Sequence, residues 1–164
     1  MKKQGFKLSQ TGFSVIEMMV VVAIIAILAT IAIPSAVTRI VREQISAALP
    51  LADAAKEPAA AQWKALKTLP ADNTEAGLPT PDKVVSNLIA ALEVEKGVIH
   101  LTFGNKANVP LQGKVLSIRP AVIAESQAVP IAWVCGNAKP PAKMTLFGNN
   151  RTNIDNKYLP FACK

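Results

Sequence analysis

Gly12-Phe13-Ser14-Val15-Ile16-Glu17 begins the stretch that decides the fold of this chain. A short basic segment ends at the glycine, and a long apolar segment follows with one carboxylate, Glu17, near its start. The run from Met18 to Thr38 contains 21 residues without a charge. As a helix it would measure about 30 Å, the thickness of a membrane's hydrocarbon core. A carboxylate at the edge of such a run is costly unless it is paired or lies at the membrane surface.

The basic residues before the glycine belong to the first of three predicted segments. Residues 1–12 form a polar leader, residues 13–35 a transmembrane helix, and residues 36–164 one globular domain outside the cytoplasm. A secretory signal that is cut after the apolar run is the alternative. However, Thr30-Ile31-Ala32 is a poor cleavage site, and the run is longer than the apolar part of such signals. We therefore expect the apolar run to be retained.

The net charge of +7 depends partly on the leader. Without the three lysines of residues 1–12, the remaining 152 residues carry +4, which argues only weakly for an anionic partner. Beyond the apolar segment the chain has room for one globular domain of about 100 residues with a modest hydrophobic core.

Helical periodicity continues beyond Pro34. Apolar residues recur at every third or fourth position and form one stripe, with polar residues on the opposite face. The stripe consists of Ile33, Val37, Ile40, Val41, Ile45 and Leu49, and the opposite face of Arg39, Arg42, Glu43 and Gln44. We predict one long helix over 13–67 that is kinked by Pro50 and Pro58. The alternative is two helices broken near Pro50.

A change from helical to alternating periodicity after residue 96 predicts a sheet. The segment 97–104 alternates and is bounded by glycines. A short helix, with Asp82 as its N-cap and an apolar face that reaches Leu92, precedes it. Strands are predicted at 97–104, 114–123 and 129–135, with an edge strand at 158–162. The predicted fold class is α+β, with a long N-terminal helix packed on an antiparallel sheet of about four strands.

Cys135 and Cys163 both lie near the C-terminus, beyond the apolar segment. A basic head followed by an apolar segment directs the rest of the chain across the membrane into an oxidising compartment, so a disulfide is the expected state. Two free thiols or part of a metal site are the alternatives. The chain has one distant histidine, His100, and lacks a Cys-x-x-Cys motif. We predict neither a metal nor a cofactor.

Both ends of the chain resemble the type IV pilins. Members of that family are made with a short basic leader that ends in glycine, and the mature chain begins with phenylalanine and has glutamate as its fifth residue. Gly12, Phe13 and Glu17 match this pattern, and Pro34 matches the family's proline that interrupts the N-terminal helix.

The C-terminal cysteines carry the second half of the resemblance. Their flanks, 133–136 and 156–163, look like those of the shorter, type IVa pilins, in which a disulfide closes the C-terminal loop. The pair favours a pilin over a type II secretion pseudopilin. Residues 68–128 match the family only in their order of helix and sheet.

The resemblance implies a role for each matched residue. A membrane prepilin peptidase would cut between Gly12 and Phe13 on the cytoplasmic side and then methylate the new amine of Phe13. Glu17 would pair with the amine of a neighbouring subunit and so fix the register of an apolar helix during assembly. The alternative is that Glu17 lies in the headgroup layer as an ordinary helix-start anion.

The implied product is a surface filament, the type IV pilus, with roles in adhesion, twitching motility and DNA uptake. Its partners would be other copies of the chain, the prepilin peptidase and methyltransferase, the inner-membrane assembly machinery, minor pilins, and a host surface or DNA. The precursor would lie in the bacterial inner membrane and the assembled pilus outside the cell.

Catalysis and DNA binding are the rival functions. The sequence has no glycine-rich phosphate loop, metal-spaced cluster or nucleophile elbow, and His100 lies alone in a predicted strand. DNA is the more serious rival, because the segment from Gly136 onward has a local charge of +4. A minor pilin that receives DNA through this loop is thus the alternative function. Its candidate DNA-binding residues are Lys139, Lys143, Arg151 and Lys157.

Overall fold

A computed structural model describes residues 12–126 and 128–164, without the side chains of 31–35. The chain divides into two units, residues 1–37 and 38–164. Its helical part consists of α1 (Val15–Ala48), a 3₁₀ turn (Leu49–Ala52) and α2 (Asp53–Leu66). Among the helices of the described residues, none is both long and apolar enough to cross a membrane.

The interruption of the helical path lies at Pro50, inside the 3₁₀ turn. Two helices, the second of the two alternatives, are therefore observed. Proline fits the start of such a turn because its missing N–H has no helical partner there. Pro58 lies within α2 and Pro34 within α1, both in helical backbone. A softening of the helix at Pro34 stays a prediction.

One stripe of buried residues follows the helical path through both helices of the second unit. It consists of Val41, Ile45, Ala48, Ala52, Ala55, Ala59 and Trp63. The spacing of three or four residues holds across the 3₁₀ turn, so this turn does not rotate the stripe away from the core. Ile40, which the sequence assigned to the stripe, is instead 45% exposed.

The helices pack on a single antiparallel sheet in the order β1-β2-β3-β4, in which β5 also pairs with β3. Its strands are β1 (Ile89–Glu95), β2 (Val98–Phe103), β3 (Val115–Val122), β4 (Ala132–Cys135) and β5 (Thr145–Leu146). The α+β fold and the strands predicted near 97–104, 114–123 and 129–135 are confirmed.

Two predicted elements are wrong. In place of the short helix that begins at Asp82, the structure has a 3₁₀ turn at Pro81–Lys83, and Leu92 lies in β1. Pairing with β2 and the buried side chain of Asn73, which accepts a hydrogen bond from the Val94 N–H at 2.6 Å, hold this segment extended. In place of the edge strand at 158–162, the chain forms a 3₁₀ turn at Phe161–Cys163.

The register of the sheet separates an apolar face from a polar row. Leu92, Leu101 and Leu116 are partners across β1, β2 and β3, and all three are fully buried. On the alternate positions Glu93, His100 and Ser117 are partners across the same strands. Side chains alternate between the faces of a strand, so this polar row lies on the opposite face from the leucines.

Candidate functional site

The N-terminus of α1 places Glu17 in the first helical turn. Ser14 precedes the helix as its N-cap, and its backbone N–H lies 3.4 Å from Glu17 Oε2. This is the arrangement of one half of a capping box, in which a carboxylate satisfies an orphan N–H at the helix start. The Glu17 carboxylate is exposed and lies one turn from Phe13.

Gly12 has no structural reason to be a glycine in the described part of the chain. A Cβ built on it would meet no described heavy atom within 4 Å. Packing among the described residues therefore leaves this position open to larger residues.

The large apolar side chains of α1 between residues 15 and 28 are exposed on every side of the helix. Their exposed fractions range from 42% to 78%. They are Val15, Ile16, Met18, Met19, Val20, Val21, Val22, Ile24, Ile25, Ile27 and Leu28. An apolar surface of this extent on a protein marks a contact with lipid or with other protein chains.

The predicted disulfide between Cys135 and Cys163 is present and closes the C-terminal loop. Cys135 ends β4, and Cys163 is fully buried at the end of the last 3₁₀ turn. The carbonyl of Cys163 accepts a hydrogen bond from the Asn137 N–H at 2.9 Å. The two ends of the loop are thus joined by a covalent bond and a backbone hydrogen bond.

Two residues of α1 that the sequence placed on the outer face bind loops instead. Arg42 donates from Nε and Nη2 to the Lys157 carbonyl, at 3.1 and 2.6 Å. The Gln44 Oε1 accepts from the Asn108 N–H at 2.8 Å. Both positions lie beside the buried residues Val41 and Ile45, where a long polar side chain reaches past the edge of the core. That position beside a buried stripe was the signal for them in the sequence.

We expect Arg42→Met to lower the free energy of unfolding by about 1–2 kcal/mol, because the Lys157 carbonyl loses a charged donor. Arg39→Met is the matched control, since Arg39 pairs only with the exposed Glu43 among the described residues, and its loss should cost about 0.5 kcal/mol or less. Guanidinium chloride unfolding of the full chain in detergent micelles, followed by tryptophan fluorescence, measures both. Equal effects would mean that the contact with Lys157 contributes nothing to stability.

The four candidate DNA-binding residues do not form one free basic surface. Arg151 Nη1 lies 2.9 Å from Glu93 Oε2 and 3.4 Å from Glu95 Oε2. Lys157 Nζ lies 3.9 Å from a carboxylate oxygen of Asp155 and over the ring of Tyr158. Lys139 and Lys143 are exposed. Two of the four cations are therefore paired with carboxylates of the same chain.

The described residues offer little to a metal or to catalysis. No group of three or more histidine, cysteine, aspartate or glutamate side chains in the described segments has the geometry of a metal site. A cavity of about 260 Å³ beside α2 is lined by Ala60, Trp63, Lys64 and residues 128–131, with Lys64 as its ionisable side chain. A pair of acid and base groups is thus missing from this cavity.

Comparison with known families matches nearly the whole chain in two parts. The family described as Pilin (bacterial filament) matches residues 41–164. The prokaryotic N-terminal methylation motif matches residues 7–33. Together they cover the leader, most of the apolar segment, and the domain that contains the sheet and the disulfide.

Curated proteins that resemble the chain extend over almost its full length. The type IV major pilin protein PilE of Neisseria gonorrhoeae is 33% identical over 161 residues, which cover 94% of each chain. A fimbrial protein of Neisseria meningitidis serogroup B is 30% identical and also covers 94% of each chain. The fimbrial protein Q of Moraxella bovis is 30% identical over 95% of this chain and 98% of its own. On the evidence of fold, disulfide, methylation motif and relatives, the chain belongs to the pilin family of bacterial filament proteins.

Proposed function

We propose that this chain is a prepilin that becomes the main structural subunit of a type IV pilus. It is cut between Gly12 and Phe13, methylated on the amine of Phe13, and then polymerised. The observation that carries the proposal is the exposure of the large apolar side chains on all sides of residues 15–28 of α1, in a chain whose second unit has a filled core of its own.

A helix that is apolar on all sides is stable in lipid or inside a larger assembly, but not in water. Before assembly, residues 13–35 span the inner membrane, with the leader in the cytoplasm and residues 36–164 on the far side. The side chains of Ile31, Ala32 and Ile33, which complete this apolar segment in the sequence, lie outside the described residues. After assembly the same apolar segment contacts α1 of other copies. Val15, Met18, Met19, Val22, Ala23 and Ala26 line an apolar groove along one side of the helix, which suits such helix–helix contact.

Processing is supported by the region around Gly12. The methylation motif covers this position, and the fold does not require a glycine there. A glycine that is required only by an enzyme fits both observations. The prepilin peptidase and methyltransferase, the inner-membrane assembly machinery and the minor pilins are therefore proposed as partners. The chain itself is proposed to have no enzymatic activity.

Glu17 is proposed to pair with the Phe13 amine of a neighbouring subunit. In the single chain its carboxylate has a long contact with the Ser14 N–H, which leaves it available to a stronger cationic donor. Cleavage after Gly12 creates that donor, the amine of Phe13, on each copy of the chain. Pairing inside an apolar bundle would favour one axial register, because a displaced subunit would bury both charges without partners.

A minor pilin that receives DNA is not favoured as the main role. The relatives are described as major pilins and fimbrial proteins, and Arg151 and Lys157 have carboxylate partners within the chain. Adhesion, twitching motility and DNA uptake by the filament stay expectations.

The test is the composition of filaments sheared from cells. We expect mass spectrometry of these filaments to find this chain as the most abundant protein, beginning at N-methylated Phe13. Whole-cell extracts provide the control for expression. If the chain is abundant in extracts but scarce in sheared filaments, it is a minor pilin or a pseudopilin, and the proposal fails.

A further inference from the structure

His100 is the centre of a buried polar cluster on the sheet face opposite the leucines. It lies on β2 and is 1% exposed. Its Nδ1 lies 2.9 Å from Ser117 Oγ on β3. Its Nε2 lies 3.3 Å from Glu95 Oε2 on β1, without the alignment of a hydrogen bond. Serine, histidine and a carboxylate in this order are known from hydrolases, but Ser117 is fully buried and no substrate can reach it.

The C-terminal loop covers this cluster and is bonded to it. The Arg151 N–H donates to Ser117 Oγ at 2.8 Å, and the Ser117 N–H donates to Thr152 Oγ1 at 3.0 Å. Gly148, at φ +74°, lies so close to Val98 that a Cβ at this position would clash with the Val98 side chain. Ser117 is therefore the link between the loop and the buried histidine.

The protonation state of His100 decides whether this link is satisfied. The hydrogen of the neutral ring is assigned to Nε2, because this nitrogen is the one that faces a carboxylate oxygen, and Nδ1 is then an acceptor. Ser117 Oγ accepts from the Arg151 N–H and can donate its own hydrogen to Nδ1. In the imidazolium both ring nitrogens are donors, so the Ser117 hydroxyl meets two N–H groups and loses its acceptor.

We propose that His100 and Ser117 form a proton-sensitive latch that holds residues 150–153 on the sheet at neutral pH and releases them in acid. The disulfide keeps both ends of the loop attached, so the release is a local opening and not unfolding of the domain. The charged groups that face the ring are Glu93 and Glu95 from β1 and Arg151 from the loop, whereas β3 contributes the neutral Ser117.

The titration of His100 has the sign that the latch requires. Burial, and next the charge of Arg151, hold the pKa of His100 below its usual value, while Glu95 and Glu93 act in the opposite direction. When the loop opens, the ring regains water and a pKa near 6.5. The open form therefore binds protons more strongly than the closed form. The stability of the closed loop is present above about pH 6.5 and is lost as the pH falls through that value towards the folded pKa.

Amide hydrogen exchange of the full chain in detergent micelles tests the latch. After correction for the intrinsic pH dependence of exchange, protection of residues 151–153 should be lost progressively between about pH 7.5 and about pH 5. Protection of β2 should stay unchanged over the same range. Equal protection of the loop at both pH values would overturn the proposal.

Two variants separate His100 from the other titrating groups. In His100→Asn an uncharged acceptor lies close to the position of Nδ1, so the loop should stay protected at both pH values. If this variant does not fold, Glu95→Gln serves instead, because loss of a carboxylate that favours the imidazolium lowers the pKa of His100 in the closed form further and should enlarge the loss of loop protection in acid. An unchanged pH dependence in either folded variant would assign the opening to other groups and refute the latch.

Discussion

Cells that express Glu17→Gln as their only copy of this chain are expected to process it normally and to be almost without pili. Glutamine has the size of glutamate and can still accept the hydrogen bond from the Ser14 N–H, which lies 3.4 Å from Oε2. The variant therefore removes the charge while the local capping of α1 is kept. If Glu17 pairs with an amine in an apolar surrounding, the unpaired amine should cost about 3–5 kcal/mol per subunit.

That cost corresponds to at least a hundredfold weaker addition of a subunit, by the tenfold per 1.4 kcal/mol rule. Immunoblots compare the processed chain in cell extracts with the amount in the sheared fraction. Glu43→Gln is the matched control, since Glu43 is an exposed carboxylate paired with Arg39 on the same helix. Normal piliation with Glu17→Gln would show that the carboxylate serves as a helix-start anion and not in pairing between subunits.

Removal of the disulfide by Cys135→Ser/Cys163→Ser should lower the free energy of unfolding by about 3–4 kcal/mol, from the entropy of the open loop in the unfolded chain. The bond joins residues 28 positions apart. The loop that it closes carries Arg151 and Thr152, which are bonded to Ser117 of β3. The variant should therefore lose order in the loop before it loses the sheet.

Limited proteolysis and guanidinium chloride unfolding of the full chain in detergent distinguish these effects. We expect cleavage within residues 137–162 at protease concentrations that leave the wild-type chain intact. The wild-type chain treated with a reductant is the control, and it should behave like the double variant. An unchanged unfolding midpoint would mean that the contacts of the loop with the sheet hold it without the covalent bond.

The sequence was sufficient where one pattern dominated a segment. The alternation in 97–104 and 114–123 predicted β2 and β3, because strands with one buried face have a period of two. The cysteine pair and its compartment predicted the disulfide. The charge pattern at 12–17 identified the position of Glu17, but its pairing with a second copy lies beyond the contacts of one chain.

The sequence was misleading where local propensity and tertiary pairing disagreed. Ile89–Glu95 is rich in alanine, leucine and glutamate, which are good helix formers, yet it forms β1. The signal for a strand in the sequence was Gly97, since two-residue hairpin turns favour glycine at the second position. In the structure Lys96 and Gly97 form the turn between β1 and β2, with φ values of +49° and +80°. The pairing of Arg151 with Glu93 and Glu95 joins residues more than 50 positions apart, and composition alone contains no trace of such contacts.

The buried stripe on the two helices has a consequence for a subunit under tension. Its middle consists of four alanines, Ala48, Ala52, Ala55 and Ala59, with Val41 and Ile45 before them and Trp63 after them. Small residues let the sheet lie close to the middle of the helical path, and larger ones fill the space at both ends. A pull along the helix would have to drive a bulky side chain into the narrow alanine region. The helices of the domain should therefore resist sliding along the sheet in either direction.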